Sequence, residues 1–258
     1  MKIHTLGTGS GTQPVKNYHH VCTAIETETA LYFIDAGENG AYAAHLAGID
    51  LLKTRAVFIT HPHMDHVGGL GNLLWYIRKM CIVNKTELAG VNIDVCSPEK
   101  DVFDATMLLL KNTEGDFQCA HTHSFVKIDE QLDYTSANGE LKLKAVHTDH
   151  IPPRNGEYRS YAFIITLEGK KLLFMGDMRL EDIPRCVPAD GVDLLAAETG
   201  HYGADKVAEA VKGLKVGTLF FTHHGKSTRD GLEEARKTAE NITGLKVITA
   251  EEGACYIL

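Results

Sequence analysis

The chain has no CxxC pair, no surplus of basic residues, no long apolar run and no low-complexity tract. Each shortage excludes something. Without an apolar stretch of about 18 residues there is no expected membrane span, and no membrane partner. The opening "MKIHTLGTGSG" turns polar and glycine-rich too soon for a secretory signal, so a cytoplasmic location is expected. The six cysteines, Cys22, Cys81, Cys96, Cys119, Cys186 and Cys255, are scattered, which argues against a disulfide framework and a zinc knuckle. They are expected to be mostly buried thiols. With 26 basic against 34 acidic residues the net charge is −8, which disfavours nonspecific capture of polyanions. A long nucleic acid is therefore not expected as a partner, whereas a small-molecule or nucleotide-like substrate is; a homodimer is allowed. With no linker to split it, the chain is expected to form a single domain over residues 1–258.

What the sequence does have is histidine, fourteen in all, grouped near 61–66, 121–123, 147–150 and 223–224. The rest reads as short β-runs ending in polar or glycine residues, with helical stretches between them, an α/β layered pattern. "MKIHTL" reads as a strand, "HHVCTAIET" and "ALYFIDAG" as a hairpin, and "AVFIT" as a buried strand. "GNLLWYIRKM" is helical, and "SPEKDVFDATMLLLKNT" reads as a helix with Ser97 as N-cap and Pro98 in its first turn. "QLDYTSANGELKLKAVH" reads as a hairpin turning at Asn138 and Gly139, a pair able to take positive φ. "SYAFIITLEGKKLLFMGD" then repeats the plan of "CTAIETETALYFIDAG": two strands ending at an aspartate, Asp177 in one and Asp35 in the other. The expectation is two similar halves, each a sheet covered by helices and packed sheet to sheet. The glycines of "LGTGSG" imitate a phosphate loop, but "TQPVKNYHH" does not open the helix such a loop needs, so a tight turn is expected instead.

"VFITHPHMDHVGGL" carries the chemistry. On an extended or tightly turned loop, side chains at alternate positions point the same way, so His61 and His63 can bite one ion, while Asp65 and His66 face a neighbouring position. Two ions about 3.5 to 4 Å apart fit that division. Imidazole and carboxylate without thiolate favour zinc first, with manganese or iron allowed. "QCAHTH", with Cys119, His121 and His123, lacks a fourth partner and is read as structural. Arg78 and Lys79 in "WYIRKM" are read as a solvated helix face.

The stretch resembles the HxHxDH signature of the metallo-β-lactamase fold hydrolases. The likeness runs on through "LGTGSG", "YFIDAGE", a lone downstream histidine, "FMGD" and "FFTHHG", nearly the whole chain. It implies a four-layer αββα sandwich with two divalent metal ions at the edge where strand-end loops meet. By resemblance Asp177 is the bridging carboxylate and His223 the last ligand of the second metal. The middle ligand comes from "AVHTDHIPP", which offers His147 and His150. His147 shares the parity of Leu141, Leu143 and Ala145, but His150 lies on the loop where related sequences place this ligand and is preferred.

A metal-bound hydroxide in such a site attacks phosphorus or carbonyl carbon, with Asp65 orienting or deprotonating the water and a nearby acid protonating the leaving oxygen; His201 is the candidate for that acid or for a phosphate contact. The layout is most similar to the phosphodiesterase and tRNA 3′-processing group, which implies a phosphodiester substrate. It departs from the endonucleases in having Glu198 without a preceding histidine, no HST before Thr222 and no glycine- and lysine-rich arm. Lactone, thioester or β-lactam hydrolysis is the alternative, weakened by the lack of a "PGHTPG"-like stretch. An iron-dependent oxidoreductase and a catalytically silent metal-binding scaffold are readings of other classes.

Overall fold

The run Ala56 to Ile59 is fully buried at every position, so neither face of its strand meets water, the condition of a central strand in a parallel sheet. In the computed structural model this strand lies in the first of two compact units. That unit consists of Met1–Gly7, Lys16–Ile128 and Glu252–Leu258; the second consists of Thr8–Val15 and Asp129–Glu251. The structure describes residues 1–11 and 15–258. The part of the "TQPVKNYHH" reading at 12–14 lies outside the described residues.

In the first unit β1 (Lys2–Gly7), β2 (Cys22–Glu26) and β3 (Leu31–Ile34) pair antiparallel, and β4 (Thr54–Phe58), β5 (Asn92–Ser97) and β6 (Thr122–Lys127) continue the sheet in parallel. The parallel crossovers carry helices: α1 (Gly40–Leu46) before β4, α2 (Met64–Val67) and α3 (Leu70–Asn84) before β5, and α4 (Lys100–Lys111) before β6. The expected hairpin of β2 and β3 is present, with Ile25 opposite Tyr32. α3 buries Leu70, Leu73, Leu74 and Ile77, the i, i+3, i+4, i+7 stripe of an amphipathic helix, in a cluster with Phe33, Val57 and Val95.

The second unit repeats the plan. β7 (Asp133–Thr135), β8 (Leu141–His147), β9 (Tyr161–Leu167) and β10 (Lys170–Phe174) pair antiparallel; β11 (Val192–Thr199), β12 (Val216–His224) and β13 (Lys246–Thr249) follow in parallel. Its crossovers carry α5 (Asp182–Cys186) and α6 (Ala204–Val211), then α7 (Lys226–Arg229) and α8 (Leu232–Thr243). α6 buries Ala204, Val207, Ala208 and Val211 at the same spacing, in a cluster with Leu195, Leu219 and Phe221. The last strand, β14 (Cys255–Ile257), pairs antiparallel with β1 in the first sheet. The α/β expectation holds: two mixed seven-stranded sheets flanked by helices.

Two local expectations need correction. Ser97 ends β5 instead of capping a helix; α4 starts at Lys100 with Glu99 at its cap, and Pro98 precedes it. Ser97 Oγ still accepts the Glu99 N–H at 3.2 Å, so it shapes the approach to the helix. At the β7–β8 turn only Gly139 takes positive φ, +76°, while the Asn138 side chain accepts the Ser136 hydroxyl at 2.7 Å. Asp65 and His66 lie within the one-turn helix α2, the tightly turned form of the loop, while His61 and His63 keep the extended stretch. All six cysteines are free thiols; Cys22, Cys96 and Cys186 are buried, while Cys255 is exposed. Among the described residues no helix is long and apolar enough to cross a membrane.

Candidate metal centre

The first set of ligand-type side chains follows the carboxyl end of β4. Its foundation is Asp35, just beyond β3, buried and held at φ +59°. Its carboxylate accepts the Thr60 N–H at 2.8 Å, and Oδ2 accepts the Thr60 hydroxyl at 2.9 Å and His66 Nδ1 at 2.8 Å. Because the Thr60 hydroxyl donates to Asp35, its oxygen accepts from His61 Nδ1, 3.1 Å away. Both imidazoles are thereby fixed as Nδ1–H tautomers with Nε2 as the acceptor nitrogen, the form a metal ligand requires. The His61 ring lies 4.6 Å from that of His63 and 3.9 Å from that of His66. Asp65 Oδ2 stands 3.6 Å from His66 Nε2.

The glycine pair behind the motif has a packing reason. A Cβ on Gly69 would lie 2.2 Å from the Gly37 carbonyl oxygen, and the Gly69 N–H donates to the Ala36 oxygen at 2.7 Å. The motif is thus laced to the chain after β3, and only glycine permits so close an approach.

The second set lies at strand ends of the second unit. Asp177, after β10, is buried and offers its two oxygens to two different imidazoles: Oδ2 is 3.4 Å from His150 Nε2, and Oδ1 is 3.4 Å from His223 Nε2. His223 occupies a β-bulge: Glu198 pairs with Thr222 and Thr199 with His224, leaving His223 as the extra residue, at φ +48°. Such a bulge re-aims one side chain, and a non-glycine residue held there marks stored strain. Gly200 makes the room, since a Cβ on it would fall 2.9 Å from His223 Nδ1. The neighbouring His224 is a satisfied core histidine: Nε2 donates to the Ala250 oxygen at 2.9 Å, Nδ1 accepts from Thr199 at 2.8 Å, and burial pushes its pKa down to about 4.

Asp177, Glu198 and His201 also gather potential ligand atoms within 4.8 Å of one another. Buried Glu198 accepts His201 Nδ1 at 2.8 Å, the His201 N–H at 2.9 Å and the Met178 N–H at 3.1 Å. Burial alone would raise the Glu198 pKa, but hydrogen bonds from His201 and His223 outweigh it and hold the carboxyl below its ordinary value. The same bond to Glu198 raises His201. His147 takes a different place: Nδ1 donates to Glu130 at 2.7 Å, Nε2 faces Arg185, and the ring stacks on Tyr158 at 3.7 Å. His150, not His147, is therefore the histidine beside Asp177.

Sequence reasoning gave no role to Asp35, Thr60 or Glu198. Their only signal was position, an aspartate ending a strand and a glutamate inside an apolar one.

A family model described as Anti-Pycsar protein Apyc1 matches residues 1–184 of the chain. The Ribonuclease Z of Nitrosopumilus maritimus (strain SCM1) is 27% identical over 286 residues, covering 93% of this chain and 94% of its own. The Anti-Pycsar protein Apyc1 of Bacillus phage vB_BveM-Goe7 is 33% identical over 98 residues, 38% of this chain and 35% of that protein. The crystal structure of the metallo-β-lactamase fold protein YhfI from Bacillus subtilis superposes with a TM-score of 0.74 at 18% identity, covering 99% of this chain and 98% of that one.

Proposed function

Because the chain belongs to the family of the Anti-Pycsar protein Apyc1 and has the metallo-β-lactamase fold, we propose that it is a two-metal hydrolase cleaving a phosphodiester bond in a small, nucleotide-like substrate. The observation that carries this reading is Asp177, whose two carboxylate oxygens each meet a different imidazole at 3.4 Å, the arrangement of a bridging ligand. In the proposed assignment the residues that would hold the ions are His61, His63, Asp65 and His66 of the first unit and His150, Asp177 and His223 of the second. The donor set fits: the tautomers of His61 and His66 are preset by Thr60 and Asp35, and the remaining donors are imidazole and carboxylate, which suits zinc and also admits manganese or iron.

Divalent metals in such a set acidify a bound water and stabilise a developing oxyanion. Asp65 orients the attacking water and takes up its proton. His201, kept protonated to higher pH by Glu198, donates a proton to the leaving oxygen. The net charge of −8 supports a small substrate over a long polyanion. RNA processing is the second reading, favoured by the likeness to a Ribonuclease Z over nearly the whole chain.

The test is to count metals per chain and assay bis(p-nitrophenyl) phosphate, a dinucleotide, a cyclic nucleotide, a precursor tRNA, a lactone and a thioester side by side. Two metals and turnover of the small phosphodiesters, lost on chelation and restored by zinc, are expected. Cleavage of tRNA alone moves the assignment to RNA processing. Turnover of only the carbonyl esters overturns the phosphodiester reading, and no turnover with Asp65→Ala indistinguishable from wild type overturns the hydrolase.

A further inference from the structure

His150 and Asp177 sit on separate loops, and one buried carboxylate ties the two loops together. Asp182, the first residue of α5, is 1% exposed. Its Oδ2 accepts the backbone N–H of Asp149 at 3.0 Å and of Arg179 at 2.8 Å, and its Oδ1 is ion-paired with Arg185. Asp149 immediately precedes His150, and Arg179 lies two residues after Asp177. Arg185 in turn reaches the Asp149 carboxylate at 3.2 Å and the His147 ring.

A second fastening acts from the other side. Thr148 Oγ1 donates to the Asp177 backbone oxygen at 3.0 Å, and Ser160 Oγ donates to the Thr148 oxygen at 2.8 Å while accepting the Ile151 N–H at 3.3 Å. The backbone is held on both flanks of His150, and the segment around Asp177 is held at Asp177 itself and at Arg179.

A local explanation accounts for only part of this. A side chain accepting the N–H three residues before it is the returning half of a capping box, so the Arg179 bond alone would make Asp182 an ordinary helix-start residue. The bond to Asp149, 33 residues away in sequence, has no part in capping α5. Burying a carboxylate is costly and is tolerated when its hydrogen-bonding positions are filled, here with the help of the exposed Arg185. Here a single carboxylate serves two backbone donors and an arginine at once, which a neutral capping side chain could not match.

We propose that Asp182 is a positioning residue that sets the spacing of His150 and Asp177 before metal arrives. The proposal rests on the metal-ligand reading of those two residues given above. It acts through the backbone of the two loops and touches neither substrate nor metal.

The experiment compares wild type, Asp182→Ala and Asp182→Asn by three measurements. These are zinc affinity by competition with a chelating dye, the visible spectrum of the cobalt-loaded protein, and amide hydrogen exchange of the metal-free protein. Asp182→Ala is expected to bind zinc roughly 10- to 100-fold more weakly, the usual cost of losing an outer partner of a metal site. Its cobalt spectrum should change, and exchange should accelerate together at 147–151 and 177–180. Asp182→Asn, which keeps one acceptor oxygen, should recover part of each effect. It also carries the same measurements if Asp182→Ala does not fold. Wild-type affinity and spectrum in both variants, or faster exchange confined to 179–186, would reduce Asp182 to a helix cap and overturn the proposal. If the wild-type chain itself binds no metal, the metal reading falls, and the exchange pattern alone still decides whether Asp182 couples the loops.

Discussion

Two histidine pairs of the same spacing lie at the ends of strands of one sheet and meet different surroundings. His61 and His63 follow the carboxyl end of β4; His121 and His123 lie at the amino end of β6, two strands away. Their rings are similarly spaced, with centroids 4.6 Å apart in the first pair and 4.9 Å in the second. The first pair has Asp35 and Asp65 close by, and Thr60 fixes the tautomer of His61. In the second, both ring nitrogens of buried His121 and Nε2 of His123 lack a hydrogen-bond partner among the described residues, and the Phe117 ring lies 5.4 Å from that of His123. Spacing gives the bite, while the carboxylates supply charge and fix the protonation state. The difference in strand end matters as well, since ligands in open α/β sheets collect at the carboxyl ends of parallel strands.

The largest test of the contrast removes one ring at a time. His61→Ala and His63→Ala should each lose more than about 100-fold in zinc-dependent kcat/KM, beyond the range for outer partners of a metal. His121→Ala and His123→Ala should stay within about twofold per folded molecule. A loss at His121 equal to that at His61 would erase the distinction between the two pairs.

The intermediate test leaves every proposed ligand in place and alters only the carboxylate behind them. Asp35→Asn preserves volume but replaces a carboxylate that accepts from three donors with a neutral amide. Zinc affinity should fall roughly 10- to 100-fold, and nitrogen chemical shifts should show the His66 ring no longer held as the Nδ1–H tautomer. Unchanged affinity would mean that the motif alone determines binding.

These contrasts also explain what could be read in the sequence. "HPHMDH" was legible because its residues are contiguous and follow a strand buried on both faces. The α3 stripe was legible because a 3.6-residue period is a local signal. Asp35 was not, because its partner His66 lies 31 residues on and only the fold joins them. The aim of His223 was hidden too, since a bulge is a mismatch between two strands and leaves no mark on either one. Glu198 read as a departure from a family pattern until the turn after β11 brought His201 back onto it. Ser97 misled because a serine before a proline satisfies the sequence rule for a cap even when the helix starts three residues later.

The smallest expected effect concerns the second pair and is read in stability. Burial, reinforced by neighbouring His121, pushes the His123 imidazole down to about 4. An unfolded chain binds that proton near pH 6.5, so between about 6.5 and about 4 the unfolded state carries more protons than the folded one. Stability is therefore unaffected by this group above about pH 6.5 and declines as pH falls through the window, by at most about 1.4 kcal/mol per pH unit for a single proton. His123→Phe removes the proton and keeps an aromatic ring beside Phe117. Its urea midpoint should fall less than that of wild type between pH 7 and pH 5, a range chosen to stay above most carboxylate titrations. His121, also lowered by burial, is present in both proteins, so the difference reports His123 together with its coupling to His121. Parallel slopes would mean that His123 gains in the folded state a proton partner equivalent to the one Asp35 gives His66, and the contrast between the two pairs would then rest on strand end alone.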